Sequence, residues 1–391
     1  MNNSYNTMDP RLRGDDRKAT RPLATIDLNA ITHNYRFLQH QCGNVPVAAV
    51  LKANAYGLGT IPIAKTVYAA GCRRFYVAHY EEALELRSVL PDVTLSVFHG
   101  VPSGAEDDAL EKNITPIIND LGALERMRDV AKKLDKPIAI TLHRDTGMNR
   151  LGFGTAEWNT LTHSPELLAG LNVTTIMSHL ACPETPAHPM NEQQHATFIN
   201  AAKHFPAAQK SLCNSYGIFL GPHMHYNEVR SGRALSGIIQ QPELKSALSI
   251  HAPIVQLRLI DSDGAVGYGA TQSVKKDMRM AILAYGYADG LQRAFSNNDQ
   301  DQQHHFYIHG YAVPLVGRVS MDLSVVDVSQ VPEHLIHVGG MVEIAGPHQS
   351  LDALARQIGS IDYEVMTQMG NRVERRYTFL SSPPPGEVAK T

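Results

Sequence analysis

The feature that most constrains this chain is a change of rhythm partway along it. From Ala24 to about Gly232, short apolar runs alternate with longer stretches whose apolar residues recur every three or four positions. The runs at 47–51, 75–78, 94–98, 116–118, 139–142, 174–177 and 211–213 predict buried strands, and 81–90 and 121–134 predict amphipathic helices. Continuous apolar strands alternating with helices specify a parallel sheet covered on both faces. Seven or eight such units fit an α/β fold of the (β/α)8 TIM type, with a doubly wound open sheet as the competing arrangement. After about Lys245 the helical spacing fades until 351–358, and strand candidates take over at 253–260, 278–284, 305–309, 313–316, 323–328 and 341–344. The expected division is a disordered tail over 1–22, a barrel over 23–245, a mostly β domain over 246–380 and a second tail over 381–391. The first tail is rich in Asn, Asp and Arg, and the second carries Pro383, Pro384 and Pro385.

Composition narrows the function. A net charge of −3 gives a nucleic-acid partner no electrostatic support. No apolar run reaches the ~18 residues needed to span a bilayer, and residues 1–20 are polar, so no membrane partner and a cytoplasmic address are expected. Cys42, Cys72, Cys182 and Cys213 lie far apart with no CxxC pair, which argues against a zinc cluster or a disulfide framework; no metal is expected.

Chemistry-bearing residues gather where strands end, the face on which barrel enzymes build their sites. In AVLKANAYGLG (49–59) a lysine, Lys52, closes an apolar strand. A partly desolvated ammonium there has a lowered pKa and suits a Schiff-base nucleophile; a lysine reaching to water is the plainer alternative. In DTGMNRLG (145–152) Arg150 can clamp an anionic oxygen or form a surface ion pair. His179 in SHLAC (178–182) is a base, an orienting group or a core histidine. Ser215 and Gly232, after the late strands, are candidates to hold phosphate through a hydroxyl and backbone N–H groups. The β region adds Gly267-Tyr268-Gly269, GYADG (286–290) and GRVSMD (317–322), each of which could be a hairpin turn.

Taken in order from about Ala24 to Tyr377, these motifs together resemble the alanine racemases. The resemblance implies a barrel holding pyridoxal 5′-phosphate, joined to a β domain and assembled as a head-to-tail homodimer with shared active sites. It implies that Lys52 carries the cofactor and that Tyr268, reaching the partner's site, is the second acid/base. It places His179 and Arg230 where residues hold that tyrosine and the pyridine nitrogen, and Arg150 near the cofactor phenolate and the substrate carboxylate. Tyr56, Ser215 and Gly232 match phosphate contacts, Met321 a backbone contact to substrate, and Tyr287 a gate on the access path. Racemisation needs one proton carrier on each face of a flattened α-carbon, and pyridoxal phosphate supplies the electron sink. The implied activity interconverts L- and D-alanine, supplying D-alanine for peptidoglycan.

Two positions depart from the family pattern. His143 stands where many members carry a lysine, often carbamylated, that positions the arginine. Asn371 stands where some carry a tyrosine at the inner gate, which leaves room for a side chain larger than methyl and for a broader alanine/serine racemase as the alternative. A decarboxylase of the same scaffold is disfavoured by Arg230, since those enzymes place an acid at the pyridine nitrogen. A non-catalytic cofactor-binding module is disfavoured by the β domain that carries Tyr268.

Overall fold

The computed structural model describes residues 20–239, 241–300 and 304–379, so the expected tails fall largely outside the described residues. The chain clusters into two compact units, Ala30–Lys245 and a second formed by Ser246 onward together with the segment before Ala30.

In chain order the first strand is β1 (Leu23–Asp27), followed by β2 (Val47–Val50), β3 (Arg74–Val77), β4 (Thr94–Val97), β5 (Ile114–Ile118), β6 (Ile138–His143), β7 (Leu171–Met177), β8 (Gln209–Ser211) and β9 (Val229–Ser231). Strands β2 to β9 form one parallel eight-stranded sheet in the order β8-β7-β6-β5-β4-β3-β2-β9. A parallel bridge between Ser211 and Glu228 joins its two edges, so the sheet curls into a near-closed barrel. Strand β2 is buried along its whole length, which is why it reads as an unbroken apolar run. Ala48, Val50, Tyr76, Ile117 and Met177 form a buried cluster against which Tyr56 and Phe98 pack.

The helices follow the same logic. Leu121–Leu134 buries Leu124, Met127 and Ala131, which share one face at three- and four-residue spacing. Burying residues of this size stabilises by about 1.5–3 kcal/mol per large side chain. Asp120 caps the helix by accepting from the Ala123 N–H at 2.7 Å, and Asp135 ends it in a left-handed conformation. Lys132 and Lys133 in the last turn complement the helix dipole.

The second unit is mostly β. It contains β10 (Leu248–Leu259), β11 (Gly264–Val266), β12 (Gln272–Val274), β13 (Arg279–Leu283), β14 (His305–Ile308), β15 (Tyr311–Pro314), β16 (Ser324–Asp327), β17 (Met341–Ala345) and β18 (Glu374–Thr378). The main sheet runs β15-β14-β17-β10-β1-β18, with β13 and β16 attached through β10.

Here one expectation needs correcting. Residues 23–27 were assigned to the barrel, yet β1 pairs antiparallel with β10 and parallel with β18. Leu23, Ala24 and Ile26 are buried in that sheet. A five-residue apolar run does not encode which sheet it joins; having a partner on each edge decides it. Strand β8 also ends earlier than expected. Its ladder with β7 stops at Ser211, and the Cys213 carbonyl instead accepts from the Arg230 N–H of β9 at 2.9 Å.

Candidate active site

The C-terminal ends of the barrel strands carry Lys52 (after β2), His143 (ending β6), His179 (after β7), Ser215 (after β8) and Gly232 (after β9). Lys52 opens an unusual turn. Ala53, Asn54, Ala55 and Tyr56 all have positive φ, between 51° and 56°. Each left-handed non-glycine residue costs about 1–2 kcal/mol, so the turn needs external support. Asn54 Oδ1 accepts from the Thr60 N–H at 2.9 Å, and the Asn54 carbonyl accepts from the Gly59 N–H at 2.9 Å. Glu82 supplies a second tie. One carboxylate oxygen accepts from the Ala53 N–H at 2.6 Å, and the other accepts from the N–H groups of Ala78 and His79 at 2.8 and 3.0 Å. Burial lowers the Lys52 ammonium pKa, the positive charge of Arg150 adds to this, and Glu82 opposes it. The strained turn therefore presents a half-buried amine readied for nucleophilic or base chemistry.

Arg150 sits on a loop built by its own motif. Asp145 Oδ1 accepts from the N–H groups of Gly147, Met148 and Asn149 at 2.9, 2.9 and 3.2 Å. Arg144, which sequence reasoning did not single out, is buried and donates to the Phe153 carbonyl at 2.6 Å, closing the loop from below. Gly152 has φ of 102°, and a Cβ there would lie 2.7 Å from the His143 carbonyl oxygen. Gly152→Ala should therefore destabilise the protein by about 2 kcal/mol, read as a lower urea midpoint at unchanged slope.

Arg150 itself is exposed, and among the described residues it makes no ion pair. His143, in the lysine's place, turns elsewhere. Its Nδ1 lies 2.8 Å from Asn119 Oδ1, and the Asn119 amide donates to the Phe98 carbonyl at 2.9 Å. Burial pushes the His143 pKa down to about 4, helped by Arg230 and Arg150. The imidazole is thus neutral at physiological pH; its hydrogen bond goes to Asn119, and it offers Arg150 no opposite charge. Because the unfolded chain takes up a proton that the folded site refuses, this histidine contributes stability above pH 6.5 that is lost as pH falls toward 4. The loss is about 1.4 kcal/mol per pH unit. Below pH 6.5 urea titrations should show that slope added to the one from His179, and His143→Gln should lower the total by about 1.4 kcal/mol per pH unit.

Arg230 is the largest fully buried side chain. It donates to Ser211 Oγ and to the Ser178 carbonyl, both at 2.5 Å, and its Nε is buried without a partner among the described residues. Glu228, also buried, accepts from the Tyr76 hydroxyl at 2.5 Å and pairs with Arg74 at 3.0 Å, balancing charge beneath the site. His179 is held neutral. Burial lowers its pKa well below the usual range, with the charges of Arg230 and Arg150 next in effect. Its Nε2 lies 3.3 Å from the Asn214 amide.

Ser215 Oγ accepts from the N–H groups of Gly232 and Ala234 at 3.1 and 3.2 Å. A Cβ at Gly232 would meet the Tyr56 hydroxyl at 2.3 Å, so only glycine lets that phenol approach the backbone. Two hydroxyls and two N–H groups converge here. With Lys52, Arg150 and Arg230 bearing on the same strand ends, the barrel offers an anion-binding cup.

The remaining expected residues lie in the second unit. Tyr268 occupies an exposed turn, at 71% exposure. Tyr287, Met321 and Asn371 come from three loops held together by Arg372. Its Nε and Nη2 grip Asp289 at 2.8 and 2.9 Å, and its Nη1 reaches Asp322 at 2.7 Å. The Tyr287 N–H donates to the Ser320 carbonyl and the Ala288 N–H to the Met321 carbonyl, both at 3.0 Å. Sequence reasoning missed Glu82, Asn119 and Arg372. Only Glu82 left a trace, since it stands three residues after the helix cap His79.

A (β/α)8 barrel with a strand-end lysine of lowered pKa in an anion-binding cup, followed by a β unit, defines a class of covalent-cofactor enzyme. Comparison with known proteins makes the assignment particular. Residues 26–240 match the alanine racemase N-terminal domain and 247–377 the alanine racemase C-terminal domain. The alanine racemase of Rhodospirillum rubrum is 39% identical over 370 residues, 93% of this chain and 97% of that protein. The crystal structure of alanine racemase from Bartonella henselae with covalently bound pyridoxal phosphate superposes with a TM-score of 0.87 at 35% identity, over 92% of this chain and all of that one. That of alanine racemase from Bacillus anthracis with bound L-Ala-P gives 0.81 at 26% identity, over 95% of this chain and 97% of that one. The chain belongs to the alanine racemase family.

Proposed function

We propose that this chain interconverts L- and D-alanine on pyridoxal phosphate, with Lys52 as the cofactor-bearing residue and one proton carrier. The observation that carries the proposal is the Lys52 ammonium, destabilised by burial and by Arg150 at the end of a barrel strand.

The residues present fit the cofactor. The orphaned Nε of Arg230 is a buried donor in want of an acceptor, and an unprotonated ring nitrogen is one. The Tyr56 hydroxyl, brought against the backbone at Gly232, and the Ser215 hydroxyl beside it are groups that suit a phosphate's oxygens. When bound, pyridoxal phosphate supplies the sink for the electron pair left on the α-carbon. Lys52 accepts or returns the α-proton at its Nζ on one face. Tyr268 does so at its hydroxyl oxygen on the other. Arg150 holds the substrate carboxylate, aided by the Met321 backbone. Neutral His179 orients its neighbours without adding charge, and Tyr287 with Asn371 lines the way in.

Tyr268 stands exposed on its turn, and Met321, Leu323 and Val255 of the same unit are exposed as well. A homodimer in which each copy's Tyr268 serves the partner's Lys52 accounts for both. Among the described residues no helix is long and apolar enough to cross a membrane. The reading carries with it a cytoplasmic enzyme supplying D-alanine for peptidoglycan. The broader alanine/serine alternative is not favoured, because the relatives are named for alanine.

The test is direct. Purified protein loaded with pyridoxal phosphate should convert L-alanine to D-alanine, and borohydride reduction should leave the label on the peptide containing Lys52. No D-alanine from loaded protein, or a label elsewhere, rejects the proposal.

A further inference from the structure

Away from the strand-end cup, one cluster of metal-ligating side chains has no part in the chemistry above. Glu192 and His195 stand three residues apart on helix Pro189–Ala202, and His223 lies on the short turn Pro222–Met224. One ligand atom from each lies within 4.8 Å of the other two. His195 Nδ1 is 3.5 Å from one Glu192 carboxylate oxygen, and His223 Nε2 is 3.7 Å from the other. These separations are long for hydrogen bonds. They suit a different geometry. Tetrahedral ligands bound at about 2.0–2.2 Å sit roughly 3.4 Å from one another.

The surroundings favour ligation. Tyr226 places its hydroxyl 2.6 Å from His195 Nε2, the ring nitrogen turned away from Glu192. An Nε2–H donated to that hydroxyl leaves the lone pair on Nδ1, the orienting contact that metal-bound histidines commonly have. The His195 and His223 rings meet edge to face at 5.3 Å. The absence of a CxxC pair excludes a thiolate-built cluster but leaves an imidazole–carboxylate one open.

We propose that Glu192, His195 and His223 bind a divalent borderline metal of the Zn²⁺ class, with water in the fourth position. Two imidazoles and a carboxylate suit that ion. The ion clamps helix Pro189–Ala202 to the turn at His223. The same helix carries Gln194, which accepts from the Ala181 N–H at 2.8 Å and donates to the His179 carbonyl at 2.9 Å, so the clamp steadies a segment of the barrel's functional rim.

The experiment uses the full chain loaded with pyridoxal phosphate, stripped with a chelator and titrated with zinc chloride against a chromophoric zinc indicator. One tight zinc per chain is expected. His223→Ala and Glu192→Gln, both at exposed positions, should each weaken it at least about tenfold, and Tyr226→Phe should weaken it by roughly tenfold through lost orientation. Zinc should raise the Tm of the parent but not that of His223→Ala. Absence of stoichiometric zinc in the parent overturns the site. So does equal affinity in His223→Ala and Glu192→Gln, which would place the ion elsewhere, including at the cofactor.

Discussion

Lys52→Ala should reduce alanine racemisation by at least about 10,000-fold, because it removes two functions at once. The first is the covalent hold on the cofactor, visible as loss of the bound chromophore after gel filtration. The second is the proton carrier on one face of the substrate. Lys52 is half-buried and ends a well-packed strand, and the turn after it is held by backbone hydrogen bonds and by Glu82. The variant should therefore fold, with unfolding curves close to those of the parent. Addition of a small primary amine should restore part of the activity if the loss is chemical. Turnover retained within tenfold of the parent would show that the chemistry does not run through this lysine.

The second large effect concerns Tyr268. Tyr268→Phe keeps the ring and removes only the hydroxyl, so activity should fall by about 100- to 10,000-fold while the bound chromophore stays. Its exposure at 71% leaves little structural reason for the loss. Mixing makes the test sharper. If two copies share their sites, a hybrid of Lys52→Ala and Tyr268→Phe subunits has one site with both residues intact and one with neither. Random reassortment makes half of the dimers hybrids, so two nearly inactive preparations should together recover about a quarter of parental activity. Recovery absent under conditions where subunits exchange would mean that each chain completes its own site.

Much of the frame was legible because burial writes a local pattern. A strand covered on both faces shows as a continuous apolar run, as at Val47–Val50. A helix covered on one face shows the spacing of Leu124, Met127 and Ala131. Strands β11, β12 and β18 left no such pattern. The first two are three-residue pieces of a hairpin, and β18 reads Glu-Arg-Arg-Tyr-Thr. The charged sequence of β18 is tolerated because only its pairing with β1, not an apolar face, makes it a strand.

The candidate site divides along the same line. Lys52, Arg150, His179, Ser215 and Arg230 could be found because each follows or closes an apolar run, and the joint order of their motifs resembles one family. Their supports could not. Glu82 holds the Ala53 N–H from 29 positions away, and Asp289 meets Arg372 across 83. Whether His143 would carry charge was equally closed to sequence, since a bare histidine says nothing of its burial or of Arg230 nearby.

The amino-acid sequence by itself determined the barrel, the β unit after it and the placing of a lysine at a strand end, because periodicity and turn chemistry act over a few residues. Only the tertiary structure decided that β1 belongs to the second unit, that a run of four left-handed residues follows Lys52, and that Glu192, His195 and His223 converge. Those outcomes depend on hydrogen bonds, charges and strain shared between segments distant in the chain, and such terms have no value until the fold brings the partners together.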